Sequence, residues 1–245
     1  VFTYGPQGIL NCLDFNTGKL RWTVNAAKQF RSPQGFFGRC CSPLVVGTLV
    51  MIDVGGSGAG VVAFDAETGK VRWKSGEHEN DYSSPVHAKI GDVSCAMFFM
   101  RDGFWGLNAE TGKELFFERF RSPINASVNA ATPLLVGNTI FVTSCYDVGG
   151  AAWSLKPNGA TGVGVETIWK KGGILDGHYA TPVHHNGYLY GFHGRQERGP
   201  ELRCVSLSDG SVQWSSGRMA SGNLLLADGK LCVLTESGEL LLAPA

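Results

Sequence analysis

The sequence has little charge and no long apolar run. Charged residues are 17% of the 245 residues, and Lys+Arg and Asp+Glu number 21 each. A surface without a field of one sign argues against nonspecific binding to nucleic acid or to a charged membrane surface. No apolar stretch approaches the roughly 18 residues that a spanning helix needs, so we expect no membrane span.

Cysteine is also scarce, whereas glycine is abundant. The seven cysteines are too few for a disulfide scaffold, and a chain of this length can bury a core without disulfides or metals. Glycine accounts for 34 residues while hydrophobic residues stay at 43%, which is typical of a packed chain with many turns. This composition favours an all-β fold.

One phrase recurs along the chain, in which an apolar run is followed by an Asp or Asn, a Thr-Gly pair and an aromatic residue. The clear copies span residues 13–22, 64–73, 107–116 and 205–214, and a more divergent copy, called the worn copy below, spans 158–169. Their turn glycines follow one another at intervals of 43 to 51 residues. A second marker, Ser-Pro or Thr-Pro, recurs with nearly the same period. That period is typical of the four-stranded blades of a β-propeller.

The repeats predict the organisation of the chain. We expect a single propeller domain over 1–245, and the termini hold partial blades at 1–24 and 221–245. Complete blades of four antiparallel strands are expected at 37–75, 83–120, 129–171 and 178–216. Six leftover strands cannot form one four-stranded blade, so the chain is predicted to be an arc of a propeller with seven or eight blades. The aromatic residue of each phrase is predicted to wedge between neighbouring blades.

These repeats resemble the pyrroloquinoline-quinone-like (PQQ-like) β-propeller family, whose signature is an acidic residue followed by Thr-Gly-Lys and, three residues later, Trp. The segments 127–133 and 190–197 are similar to those of an exported bacterial subgroup. The family includes quinoprotein alcohol and glucose dehydrogenases as well as the propeller lipoprotein of the outer-membrane barrel-assembly machine. The resemblance therefore implies a periplasmic or exported location and leaves the activity open.

Propeller geometry predicts where a ligand would bind. The short Thr-Gly turns lie on one face, and the longer, more individual loops lie on the other, where function concentrates. The polar residues of those loops that we expect to contact a ligand are Arg39, Asp81, Arg101, Asn129, Asp147, His178, Tyr179, His193, Arg195, Gln196 and Glu197.

Several of these residues have alternative interpretations. Arg195 could hold a carboxylate or phosphate, or it could pair with Glu197. The histidines between positions 178 and 193 lack the spacing of a zinc motif, so we expect hydrogen bonds at the rim and no metal site.

Three functions are compatible with the sequence. The preferred one is a noncatalytic cell-envelope propeller that binds or scaffolds a protein, peptide or polysaccharide through its polar channel face. The alternative is a PQQ-dependent alcohol or sugar dehydrogenase using Ca²⁺, because quinoprotein dehydrogenases place a vicinal disulfide beside the quinone and Cys40-Cys41 could contact such a cofactor. The third is a module of a larger chain or assembly.

Overall fold

The computed structural model describes residues 1–245 and is built almost entirely of β-strands. It has 22 strands, one short helix α1 (Ala26–Gln29) and a single 3-10 turn (Gln196–Arg198). Neither helical segment has the length or the apolar character that crossing a membrane requires. The strands form four four-stranded and two three-stranded antiparallel sheets, which confirms the predicted fold class.

The chain divides into two compact units, of which the first comprises residues 1–119 and 157–164. Its first sheet has three strands, β1 (Phe2–Tyr4), β2 (Ile9–Leu13) and β3 (Leu20–Asn25). The second sheet has four, β4 (Leu44–Val46), β5 (Leu49–Gly56), β6 (Ala59–Asp65) and β7 (Val71–Ser75). The third also has four, β8 (Val86–Ile90), β9 (Val93–Met100), β10 (Gly103–Asn108) and β11 (Glu114–Arg119).

The second unit comprises residues 120–156 and 165–245. The fourth sheet is formed by β12 (Leu134–Val136), β13 (Thr139–Ser144), β14 (Gly149–Asn158) and β15 (Gly162–Lys171). The fifth is formed by β16 (Val183–His185), β17 (Tyr188–His193), β18 (Glu201–Ser206) and β19 (Val212–Arg218). The sixth has three strands, β20 (Gly222–Ala227), β21 (Lys230–Thr235) and β22 (Leu240–Pro244).

Successive sheets within each unit pack face to face. In the first unit, Val50 and Ile52 of β5 pack against Leu10 of the first sheet, whereas Met51 packs against Phe98 of the third. The two-residue period of a strand sends neighbouring side chains to opposite faces. A strand between two neighbours is therefore apolar throughout, and β5 is buried along its whole length.

The Thr-Gly turns are held by a repeated hydrogen-bond pattern. In the second sheet, Oδ1 of Asp65 accepts bonds from the backbone N–H of Thr68 at 2.9 Å and from its hydroxyl at 2.9 Å. Gly69 then adopts a φ of +70°, which glycine reaches without strain. Asp14 and Asn108 make the same contacts in the first and third sheets.

The predicted aromatic wedge is present at Trp22 and Trp73. The Nε1–H of Trp22 donates to the carbonyl of Ala66 at 3.2 Å, and that of Trp73 donates to Ala109 at 3.1 Å, each in the Thr-Gly turn of the next sheet. Trp169, from the worn copy, makes the same contact with Leu207.

Two other aromatic positions differ from the expected wedge. Phe116 lies against Gly106 and Phe104 of its own sheet. Trp214 is 41% exposed.

Candidate functional site

The candidate site is an open cleft of about 340 Å³ in the second unit. Three loops supply most of its wall: the loop between β13 and β14, the loop between β15 and β16, and the loop between β17 and β18. The lining residues are Ile124, Cys145, Tyr146, Asp147, Asp176, His193, Gly194, Arg195, Arg198, Gly199, Glu201 and Arg218. Six of these twelve residues are Asp, Glu or Arg, so the wall offers charged groups that can orient a polar ligand.

Arg195 is held in place from two sides. Its guanidinium lies over the ring of Tyr146, with 4.9 Å between the guanidinium carbon and the ring centroid. Its Nη2 donates to Oε1 of Glu197 at 3.2 Å. The pKa of Glu197 is lowered by its own backbone N–H and by this arginine. The stacking and the ion pair together fix the orientation of Arg195.

A hydrogen-bond chain continues from Tyr146 through His178. The Tyr146 Oη lies 2.9 Å from Nε2 of His178, whose Nδ1 contacts Oε1 of Gln196. Because an amide oxygen only accepts, Nδ1 donates to Gln196, and Nε2 bonds the tyrosine hydroxyl. The ring of His178 also contacts Tyr179, whose hydroxyl donates to Glu236. Burial and this carboxylate raise the pKa of Tyr179.

Asp176 and His193 meet at the wall of the cleft. The backbone N–H of Asp176 donates to Nδ1 of His193 at 3.0 Å. That nitrogen also lies 3.5 Å from Oδ1 of Asp176, but an accepting nitrogen carries no proton to donate to the carboxylate. Oδ1 therefore has no hydrogen-bond partner, although Asp176 is only 6% exposed. A buried polar atom without a partner is uncommon in a folded protein.

Cys145 is the only cysteine that lines the cleft. It is buried, and burial raises the pKa of its thiol. No hydrogen bond joins the sulfur to His193. The thiolate is the reactive form of cysteine, so a thiol held protonated in this way is a poor nucleophile.

A second group of charged residues is buried in the first unit. Arg39 and Asp53 are 3% and 2% exposed. The arginine Nη2 donates to the carbonyls of Ser32 at 3.2 Å and Pro33 at 2.9 Å. Burial, followed by the charge of Asp81, raises the pKa of Asp53 to about 8, against the opposing effect of a hydrogen bond with Cys41. This group is enclosed in the core.

The structure separates the predicted ligand-binding residues into two sets. Asp147, His193 and Arg195 line the cleft, and Glu197 is bonded to Arg195. A small recess beside the cleft, which shares Gly194 with it, is lined by His178, Tyr179 and Gln196. These seven residues therefore lie together, and their contact with a ligand stays a prediction.

The remaining predicted residues lie elsewhere. Asn129 is buried, and its Nδ2 donates to the carbonyl of Phe120 at 3.3 Å. Arg101 in the first unit forms an ion pair with Glu79 at 3.4 Å. Arg39 and Asp81 belong to the buried group. Cys40 is exposed, Cys41 is buried, and both are free thiols.

Some residues of these sites were not among the predicted contacts. Arg218 closes the outer strand β19, and nothing in its sequence context distinguishes it from other surface arginines. Asp53 has a readable signal, because it is a lone carboxylate inside the apolar run Leu49–Val54. A charged residue in such a run is buried and is therefore either paired or neutral.

The repeats, the antiparallel sheets and the Trp contacts define the chain as a PQQ-like repeat propeller protein. It belongs to the family described as outer membrane protein assembly factor BamB, which it matches over residues 1–216. This confirms the resemblance seen in the repeat phrases.

Solved structures share the fold at low sequence identity. BamB from Moraxella catarrhalis superimposes with a TM-score of 0.68 at 16% identity, over all of this chain and 72% of that chain. The C-terminal domain of PilY1 from Pseudomonas aeruginosa gives 0.64 at 13% identity, over 99% and 77% of the two chains. A europium-containing methanol dehydrogenase gives 0.61 at 12% identity, over 100% and 62%. At these identities the likeness establishes the fold alone.

One curated relative is closer in sequence over a shorter stretch. The dehydrogenase subunit of the quinone alcohol dehydrogenase from Komagataeibacter europaeus is 39% identical over 97 residues. The match covers 36% of this chain and 13% of that subunit. The chain thus corresponds to a small part of this relative.

Proposed function

We propose that the protein is a noncatalytic binding protein of the cell envelope, exported from the cytoplasm, which holds a segment of a partner protein in the cleft of the second unit. The observation that carries this proposal is the fixed polar wall of the cleft. Arg195 is clamped between Tyr146 and Glu197, and His178 is clamped between Tyr146 and Gln196. Side chains already held in one orientation lose little entropy when a ligand binds.

The chemistry of the cleft favours binding over catalysis. A nucleophilic site needs a nucleophile bonded to a base that is itself oriented by a third group. Here the Nδ1 of His193 accepts the Asp176 amide, and the neighbouring Cys145 is kept as a thiol by burial. The groups that a triad would need are thus present without the bonds that would activate them.

Family membership supports a protein partner and an envelope location. The family is described as an outer membrane protein assembly factor, which is a role exercised on other proteins at the outer membrane. We therefore assign the ligand to a protein segment rather than a polysaccharide. An extended peptide suits an open cleft because its backbone supplies both hydrogen-bond donors and acceptors to polar walls.

A displayed library of random nine-residue peptides tests this function. We expect selected peptides to bind the protein with micromolar Kd and to lose at least tenfold in affinity in Tyr146→Ala, which removes the platform under Arg195. The control is Tyr188→Ala, on the same unit and 39% exposed, where affinity should be unchanged. Failure to select any peptide, or equal losses in the two variants, would contradict the proposal.

A quinone-dependent dehydrogenase is the second candidate, because of the 39% identity to the alcohol dehydrogenase subunit. The residues present fit that cofactor poorly. The Ca²⁺ that accompanies the quinone needs several oxygen ligands, yet no group of three or more His, Cys, Asp or Glu side chains is placed to hold a metal ion. Cys41 is also enclosed in the core, so the Cys40-Cys41 pair does not present both sulfurs to a ligand.

Adding the cofactor distinguishes the two candidates. We expect pyrroloquinoline quinone with Ca²⁺ to give no saturable quenching of tryptophan fluorescence and no dye reduction with ethanol or glucose. Saturable binding together with dye reduction would establish the dehydrogenase instead.

A further inference from the structure

We infer that the cleft recognises a carboxylate group, held by the guanidinium groups of Arg198 and Arg218. This inference rests on the proposed function and adds the chemical class of the ligand. The carboxylate could be the C-terminus of the bound segment or the side chain of an Asp or Glu within it.

The chain segments that carry the two arginines lie side by side at the cleft. Arg218 lies opposite Glu201 in the β18–β19 ladder, and its stem runs along Gly199, the residue after Arg198. A methyl group placed on Gly199 would lie 3.9 Å from both Cβ and Cδ of Arg218. The carbonyl of Pro200 also accepts a bond from the N–H of Met219 at 2.9 Å, which ties the two segments together. Both side chains line the cleft.

Neither arginine has an acidic partner. The other arginine of the same loop, Arg195, is paired with Glu197. Arg198 and Arg218 form no side-chain hydrogen bond or ion pair and are exposed. A carboxylate that enters the cleft would supply the acidic partner that both side chains lack.

The nearby carboxylates do not fill this role. Oε2 of Glu201 already accepts bonds from Arg203 at 3.0 Å and from the Ser215 hydroxyl at 2.6 Å. Asp147 also lines the cleft but forms no ion pair with either arginine, and Asp176 is buried beside His193. The two guanidinium groups thus remain available to an incoming anion.

Guanidinium geometry favours a planar, two-oxygen ligand. Each guanidinium presents parallel N–H groups that match the two oxygens of a carboxylate, and such charge-assisted bonds are short and strong. Since the proposed ligand is a protein segment, its carboxylates are the anions at hand. Inorganic phosphate shares the charge without being part of such a segment, and it therefore serves as a competing probe.

The test is a titration followed by the Nε–Hε NMR signals of the arginines. The probes are N-acetyl-Ala-Ala with a free C-terminus, N-acetyl-Asp-Ala-amide, N-acetyl-Ala-Ala-amide and inorganic phosphate. We expect one of the two carboxylate probes to bind at least tenfold more tightly than the neutral amide, and to shift the Arg198 and Arg218 signals. Its identity reports whether the terminus or a side chain is recognised. Raising NaCl from 50 to 300 mM should weaken the binding of the charged probes and leave that of the neutral amide unchanged.

Variants assign the effect to these residues. In Arg198→Gln/Arg218→Gln the preference for carboxylate over amide should fall to within threefold. The control is Arg21→Gln/Arg72→Gln, which removes the same charge from two exposed arginines of the first unit, and it should keep the full preference. Both pairs can be checked for folding by their thermal transitions.

The outcomes distinguish failure of carboxylate recognition from failure of the proposed peptide-binding function. If the amide probe binds as tightly as the acids, or phosphate binds more tightly than both, recognition of a carboxylate is wrong while peptide binding stands. The same holds if the preference survives in Arg198→Gln/Arg218→Gln. If no probe and no library peptide disturbs the cleft signals, the binding function itself is wrong, and the inference falls with it.

Discussion

Replacing Asp53 by asparagine should stabilise the protein at alkaline pH and leave it unchanged near pH 4. The carboxyl is 2% exposed, its Oδ1 has no hydrogen-bond partner, and burial raises its pKa from 3.8 to about 8. The folded chain therefore keeps a proton that the unfolded chain releases. Asparagine has nearly the same shape as the protonated acid, so it keeps the packing and removes the titration.

The sign follows from proton linkage. Below about pH 4 the carboxyl is protonated in both states, and its ionisation does not affect stability. As the pH rises from about 4 to about 8, the unfolded state gains by ionising while the folded state does not, so the free energy of unfolding falls. Above about 8 both states are ionised and the loss is constant. At roughly 1.4 kcal/mol per pH unit, it reaches at most about 6 kcal/mol at pH 8.

Calorimetry between pH 4 and 8 measures this effect. At about 2–4 °C per kcal/mol for a chain of this size, Asp53→Asn should melt roughly 10–20 °C above the wild type at pH 8, and within 2 °C of it at pH 4. The control is Asp65→Asn, since the hydroxyl and N–H of Thr68 lower the pKa of that carboxyl, so its loss should not stabilise the protein. An Asp53→Asn difference that is equal at the two pH values would refute the reasoning.

Two further predictions concern the repeat turns and the thiols. Gly112→Ala should lower the free energy of unfolding more than Gly137→Ala in urea titrations. Both glycines have a positive φ, which destabilises a residue with a Cβ by about 1–2 kcal/mol. Of the two, only Gly112 would bring the new Cβ against a tryptophan ring, at 2.5 Å from Trp73. Equal losses of unfolding free energy in the two variants would show that the Trp73 ring moves aside at little cost. Thiol titration without reductant should find Cys40 to be the most reactive group in the native protein and seven thiols after denaturation, since all seven are free and Cys40 is exposed; five would indicate a disulfide and strengthen the quinone interpretation.

The repeated parts of the structure could be predicted from the sequence, because each copy of the phrase forms the same turn through local interactions. Asp65, Thr68 and Gly69 fix the turn through short-range hydrogen bonds and one positive φ, which depend only on residues close in the chain. The wedge of Trp73 follows from the two-residue period of the strand and the N–H of the indole. Phe116 marks the limit of this reasoning, since it occupies the same position of the phrase but packs within its own sheet.

The cleft was only partly readable, because its loops are not repeated. The sequence predicted that His193, Arg195 and Glu197 share one ligand-binding rim; in the structure they lie together at the cleft, and binding of a ligand there stays a prediction. It could not indicate that Arg39, on an equally polar loop, turns inward to bond Ser32 and Pro33. The direction of a loop side chain depends on carbonyls that only tertiary contacts bring within reach, and composition does not report them.

Two of the three buried aspartates, Asp53 and Asp176, show how the same residue type separates into different roles. Asp53 sits in a strand that is apolar on both faces, and burial keeps it protonated, so it holds no fixed charge for a ligand to meet. Asp176 is nearly as buried but lines the cleft, where its backbone N–H orients His193 and its Oδ1 remains without a partner. Burial alone therefore does not mark a functional carboxylate. The difference lies in whether the unsatisfied atom faces the core or the cleft, and this supports the proposal that the ligand binds in the second unit.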